Sequence, residues 1–154
     1  MLEAQIAGEL CAWVTRAEST FFPPDLARNG VVLDTLPVVF VSSAAQAVRS
    51  TTRLVRSGAF GVVIADLGST ADIPMPLQGQ LMGLAIKYNI AVVLLTEKPA
   101  STASVGSMIS LRIEAQRQRI DEAHFSIRFN ILKDKRHGPS WTHEEIAYGP
   151  AGLR

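Results

Sequence analysis

The stretch Gly61-Val62-Val63-Ile64-Ala65-Asp66 decides the fold. Four apolar residues follow one another without a polar break, and an acid closes the run. A strand that shows no apolar/polar alternation is expected to be covered on both faces, the pattern of a parallel sheet with helices packed on it. Upstream, Ser43 and Gln46 have the spacing of a capping box. Ala44, Ala47, Val48, Thr51, Leu54 and Val55 then recur at helical spacing, and Gly58 stops the helix. Downstream, a loop rich in Gly, Ser and Pro from Leu67 to Pro76 leads to a helix over Leu77–Asn89 that buries Leu77, Leu81, Leu84, Ala85 and Tyr88. Ala91–Thr96 (AVVLLT) is a second fully apolar run of strand length.

Before the capping box, Leu10–Thr15 and Leu36–Val41 are two further short apolar strands. Pro23 and Pro24 suit the first turn of a short helix, Asp25–Asn29, with Gly30 just beyond its end. Met1–Ala7 looks like the last turns of a helix, and a chain that opens in this way is expected to have lost an upstream segment. Strands and helices therefore alternate, which argues for a mostly parallel central sheet with right-handed crossovers, an α/β fold. After Ser107 the pattern changes. Met108–Gln118, His124–Lys133 and Trp141–Tyr148 read as three strands joined by turns at Asp121-Glu122 and Arg136–Pro139. The expectation is a single domain over 1–154, with 108–148 as an antiparallel extension of the sheet.

Composition narrows the functional classes. Hydrophobic residues make up 47% and charged residues 19%, as in a globular protein. A net charge of +1 supplies no global field for nucleic acid. Cys11 is the one cysteine, so no internal disulfide forms, which fits a reducing compartment. No run of about 18 apolar residues is present to cross a membrane, and the first ten residues carry two acids and no base, unlike a signal peptide. A cytoplasmic protein is expected.

The usual catalytic constellations do not assemble. His124, His137 and His143 have no cysteine companions and no regular ligand spacing, so no metal site is expected. Glu144 and Glu145 are adjacent on a strand and face opposite ways. No serine sits in a G-x-S-x-G elbow. Trp13 and Trp141 lie within expected strands, as core or sheet-face residues, whereas Phe21 and Phe22 fall in a turn before two prolines and suit either partial exposure or packing over the sheet edge.

The segment RSGAFGVVIADLGS (56–69) is similar to the region of the second nucleotide-binding motif in the RecA recombinase family. Further likenesses follow in the family's order. Glu18, after the strand CAWVT, lies where RecA proteins carry the acid that polarises the attacking water. PPDLARNGVVLDTL (23–36) resembles the family's short helix and its continuation. LAIKYNIAVVLLTE (84–97) resembles the helix and strand that end in the family's Asn-Gln sensor pair, and ILKDKRHGPSWTHEEIAYGPAG (131–152) resembles its ending. The resemblance runs from about Ala7 to Gly152 and implies a RecA-like P-loop NTPase core, closest to the ImuA/SulA-like relatives that are not recombinases.

The departures from the family pattern bear on function. A phosphate loop needs G-x-x-x-x-G-K-[ST] before the first helix, and the first lysine here is Lys87. Without that loop Asp66 has no metal–phosphate complex to hold and Glu18 has no positioned water. At the sensor position stand Thr96 and Glu97, and a glutamate there repels a γ-phosphate. Lys98–Gly106, in place of the family's long DNA-inserting loop, has one lysine and no aromatic residue. No ATPase activity and no cofactor are expected of this chain, and Glu18, Asp66, Thr96 and Glu97 are degenerate nucleotide-site positions.

Basic residues supply the candidate contact surfaces. Lys133 and Lys135, with Arg136 beside them, match the family's lysines that reach across to a neighbour's ATP, and here suit an acidic partner, a nucleic-acid backbone or a solvated turn. Arg49, Arg53 and Arg56 share one helical face, either solvated or facing an acidic partner. Arg117 and Arg119 share a strand face, and with Arg112, Arg128, Lys133, Lys135 and Arg136 would make a basic stripe.

What the resemblance implies is a non-catalytic accessory protein of the SOS response and translesion synthesis, meeting RecA and a Y-family polymerase relative by protein contacts. The alternatives are the core of a RecA-like ATPase whose phosphate loop lies upstream, and a DNA-binding module built on the basic meander. RecA filaments use an N-terminal strand and helix that the chain lacks, so a monomer or weak dimer is expected.

Overall fold

The computed structural model describes residues 1–17, 19, 21–69, 72–138 and 141–149. The chain packs as two compact units, Met1–Pro99 and Ala100–Arg154.

The first unit is built on a four-stranded parallel sheet: β1 (Cys11–Arg16), β2 (Val38–Val41), β3 (Val62–Gly68) and β4 (Ala91–Thr96), in the order β2-β1-β3-β4. Its helices are α1 (Leu2–Ile6), α2 (Pro23–Arg28), α3 (Ala44–Ser57) and α4 (Met75–Tyr88), and a short 3-10 turn spans Leu33–Thr35. The mixed α/β class and the parallel sheet read from the sequence are therefore present.

The central strands are covered as their composition requires. Ala12 and Val14 of β1 and Val63, Ala65 and Leu67 of β3 are fully buried, and α3 packs across both strands. Ala47, Val48, Thr51, Thr52 and Val55 form the buried side of that helix. Inside it, Thr51 and Thr52 donate their hydroxyls to the carbonyls of Ala47 and Val48, both at 2.8 Å, so neither buried oxygen is orphaned. At the start of the strands the opposite face is closed by α1 and α2. There Cys11, Val31 and Leu36 pack with Leu2, Ala4, Leu26, Val38 and Val62.

Local signals held with small changes. Ser43 caps α3, its Oγ accepting from the Gln46 N–H at 3.3 Å. The returning half of the expected box is displaced by one residue, since Gln46 Oε1 accepts from the N–H and hydroxyl of Ser42 at 3.0 and 2.9 Å. Gly58 ends α3 in the left-handed conformation, with φ of 68°. In α2 the two prolines occupy the first turn, where they remove two amide donors that would have no partner within the helix.

Two readings are corrected. β4 is apolar up to Leu95, yet Val93 and Leu95 are exposed, on the edge strand of the sheet. In α4 the buried residues are Gln78 and Leu81, while Leu77, Leu84, Ala85 and Tyr88 are half-buried. The Gln78 amide is taken inside because its Nε2 donates to the Ile73 carbonyl at 2.6 Å.

The second unit is a three-stranded antiparallel sheet: β5 (Leu111–Arg119), β6 (His124–Asp134) and β7 (Thr142–Tyr148), in the order β5-β6-β7. The expected extension of the parallel sheet is thus corrected. Among the described residues these strands pair only with one another, as a separate three-stranded meander. Its turns follow from two aspartates. Asp121 accepts from the N–H groups of Ala123 and His124, each at 2.8 Å. Asp134 accepts from those of Arg136 and His137 at 2.7 and 3.1 Å. Trp141 lies just before β7 instead of inside it, 39% exposed, and its indole N–H donates to Asp134 at 3.1 Å.

Candidate functional site

Three places in the structure collect the residues that sequence reasoning singled out. At the carboxyl end of the parallel sheet, Asp66 pairs with Leu95 and Gly68 with Thr96, so Asp66, Thr96 and Glu97 come together. Glu18 lies outside the described residues. The register shifts between Asp66 and Gly68, and the Glu97 N–H donates to the Gly68 carbonyl at 3.2 Å. Asp66 turns its Oδ1 back onto the Gly68 N–H at 3.1 Å, the geometry of a capped turn. Among the described residues no group of three or more His, Cys, Asp or Glu side chains is placed to hold a metal ion.

One residue here escaped sequence reasoning. Arg16, the last residue of β1, lays its guanidinium over Gly68, and its buried Nε has no hydrogen-bond partner among the described residues. An arginine closing an otherwise apolar strand was the available signal. Nearby, Trp13 packs on Phe21 at 5.0 Å between ring centroids, and the hydroxyls of Thr15 and Ser19 are in contact. Of the two turn aromatics, Phe22 is the exposed one.

The second place is the outer side of α3. Arg49 and Arg53 line a cleft of about 280 Å³ together with Val41, Gln46 and Ser50. Arg49, Arg53 and Arg56 are all exposed. The helical spacing predicted a shared face, and the structure adds the wall that turns part of it into a cleft.

The third place is the antiparallel sheet, and here the expected basic stripe divides. Arg117 and Arg119 pair with Ile127 and Phe125, and Arg117 lies over the Phe125 ring at 4.9 Å. Arg112, Arg128 and Lys133 belong to the opposite face by strand alternation. Most of these cations are already committed. Arg128 pairs with Glu144 at 3.1 Å, and Lys133 Nζ donates to the Ser107 carbonyl at 3.2 Å. Arg112 donates to the Thr102 carbonyl at 2.8 Å and Arg119 to that of Asp121 at 2.9 Å. Lys135 and Arg136 are exposed in the β6–β7 turn.

Electrostatics in this unit serve the turns. Asp134 is held down at about 2 by the Arg136 N–H first, then by bonds from His137 and Trp141. The Asp121 carboxyl is lowered by the Ala123 N–H and by His124. Glu144 is lowered by the Ser126 hydroxyl at 2.5 Å and by Arg128. Glu144 and Glu145 point to opposite faces, as alternation requires. His137 is bonded to Asp134, whereas His143 stacks on Phe129 with 5.9 Å between centroids.

No helix among the described residues is long and apolar enough to cross a membrane. No protein-family model matches the chain, and no curated protein matches it. Among solved structures it is similar to the crystal structure of SulA from Pseudomonas aeruginosa, at 15% identity and a TM-score of 0.47, over 57% of this chain and 71% of that one.

Proposed function

We propose that the chain is a non-catalytic accessory protein of the DNA-damage response, acting through protein contacts. Its partners would be RecA and an error-prone assembly containing a Y-family polymerase relative. The observation that carries the non-catalytic part is Asp66. In an NTPase the acid at this strand end faces a metal ion and phosphates, whereas here its carboxylate is bonded to the amide of its own turn. Glu97, whose N–H is bonded to the Gly68 carbonyl at this same strand end, adds a second acidic residue there. The DNA-damage setting rests on the ordered sequence resemblance described above. A DNA-binding role for the meander is less favoured, because its basic residues are split between two faces and several are held by neighbouring carbonyls or a carboxylate.

The deciding experiment is capture of purified RecA and of the polymerase relative on the immobilised protein. Retention of at least one is expected, and failure to retain either would overturn the proposal. ATP binding that is lost in Asp66→Ala would overturn the non-catalytic part on its own.

A further inference from the structure

We infer that the cleft between β2 and α3 is the docking site for an acidic peptide segment of a partner protein. Sequence supplies the charge. No Asp or Glu occurs between Asp34 and Asp66, while Arg49, Arg53 and Arg56 all fall in that interval. In a chain whose net charge is only +1, this is a concentrated local excess. No ion pair joins these arginines to a described residue, in contrast to Arg128, which has Glu144. Exposed guanidinium groups on one helix repel one another weakly, and that repulsion is relieved when an anion sits between them.

The lining fits carboxylates. Arg49 and Arg53 are one helical turn apart, roughly 6 Å between Cβ atoms, so their forks reach one carboxylate jointly or two neighbouring ones singly. Gln46 has its Oε1 occupied by Ser42, which leaves its amide nitrogen as the end available to a ligand. Ser50 adds a hydroxyl, and no acidic side chain lines the cleft. Val41 adds a small apolar contact at the edge of the cleft, suited to the methylenes of a glutamate.

The same features disfavour nucleic acid. None of the residues that line the cleft is aromatic. Single-stranded nucleic acid is held by stacking platforms along a continuous basic groove, and neither is present at this site. The inference rests on the reading of the chain as a protein-contact module, and goes beyond it in assigning a surface and a ligand chemistry.

The test uses fluorescence anisotropy with a labelled peptide of alternating Glu and Val, and in parallel a labelled oligo(dT). The expected result is salt-sensitive peptide binding that weakens about tenfold or more in R49Q/R53Q, one decade of affinity being a modest loss for two charge-assisted contacts. K87Q/K98Q removes the same charge elsewhere and is expected to stay within about twofold. Should R49Q/R53Q melt early, R49K/R53K keeps the charge without the fork and is expected to show a partial loss. Absence of peptide binding at low salt, equal binding by R49Q/R53Q, or oligo(dT) displacing the peptide from this cleft would each overturn the inference. The two proposals fail separately. Partner capture that survives R49Q/R53Q removes the cleft and leaves the accessory reading, whereas peptide binding without partner capture does the reverse.

Discussion

The guanidinium of Arg16 lies where a Cβ on Gly68 would stand, so the ends of β1 and β3 meet through an arginine side chain laid over a glycine. Gly68 also has φ of 62°, in the left-handed region. Gly68→Ala therefore meets a backbone cost and a collision at once. A loss of about 1–2 kcal/mol is expected from the backbone alone, with more from displacing Arg16. Denaturant titration of Gly68→Ala, Arg16→Ala and the double variant checks this. The double variant should be more stable than the sum of the single losses implies, because truncating Arg16 clears the space.

Leu67, fully buried in β3 one residue before that glycine, tests how firmly the sheet is covered. Leu67→Ala is expected to cost about 2–5 kcal/mol, the range for a large-to-small change in a packed core. A loss below about 1 kcal/mol in chemical denaturation would mean that the site collapses around the change or was never tightly packed.

The α3 cap offers a smaller, separable effect. Removing the Ser43 hydroxyl orphans the Gln46 amide, and Ser43→Ala is expected to cost about 1 kcal/mol. Ser43→Asp should retain most of the stability, since a carboxylate at this position accepts the same bond and opposes the positive end of the helix. No measurable loss in Ser43→Ala would show that the cap contributes nothing.

Asp134 makes the stability of the meander depend on pH in a definite direction. Its carboxyl is lowered from 3.8 to about 2 in the folded protein, first by the Arg136 N–H. A depressed acid stabilises the fold above its unfolded pKa and loses that contribution as pH falls through the folded value. The difference in melting temperature between the wild type and Asp134→Asn should therefore be full at pH 6 and shrink as pH falls from about 4 to about 2. A difference that grows over that interval would contradict the assignment.

Much of the fold was legible because burial is written into local composition. The run Val62–Ala65 is covered on both sides, and its lack of alternation says so. Ala91–Thr96 has the same composition, yet one of its faces is open, because composition does not reveal which strand becomes the edge. The meander shows the same limit. Its strands and turns follow from local signals such as Asp121, but the choice between joining the first sheet and closing into a second is made by tertiary pairing. At the cleft, the common face of Arg49 and Arg53 follows from helical spacing, whereas Val41 reaches them only through the crossover from β2. Arg16 was missed because its role depends on a bulge in β3, a different strand.

The closed face over Cys11 turns the chain's one thiol into a gauge of motion. Burial raises its pKa, and its sulfur lies 3.7 Å from the Met1 carbonyl. A reagent in solution therefore reacts only when the packing of Leu2, Ala4 and Leu26 around it loosens. The labelling rate under native conditions counts those openings, giving a clock for the amino-terminal cover that needs no engineered probe.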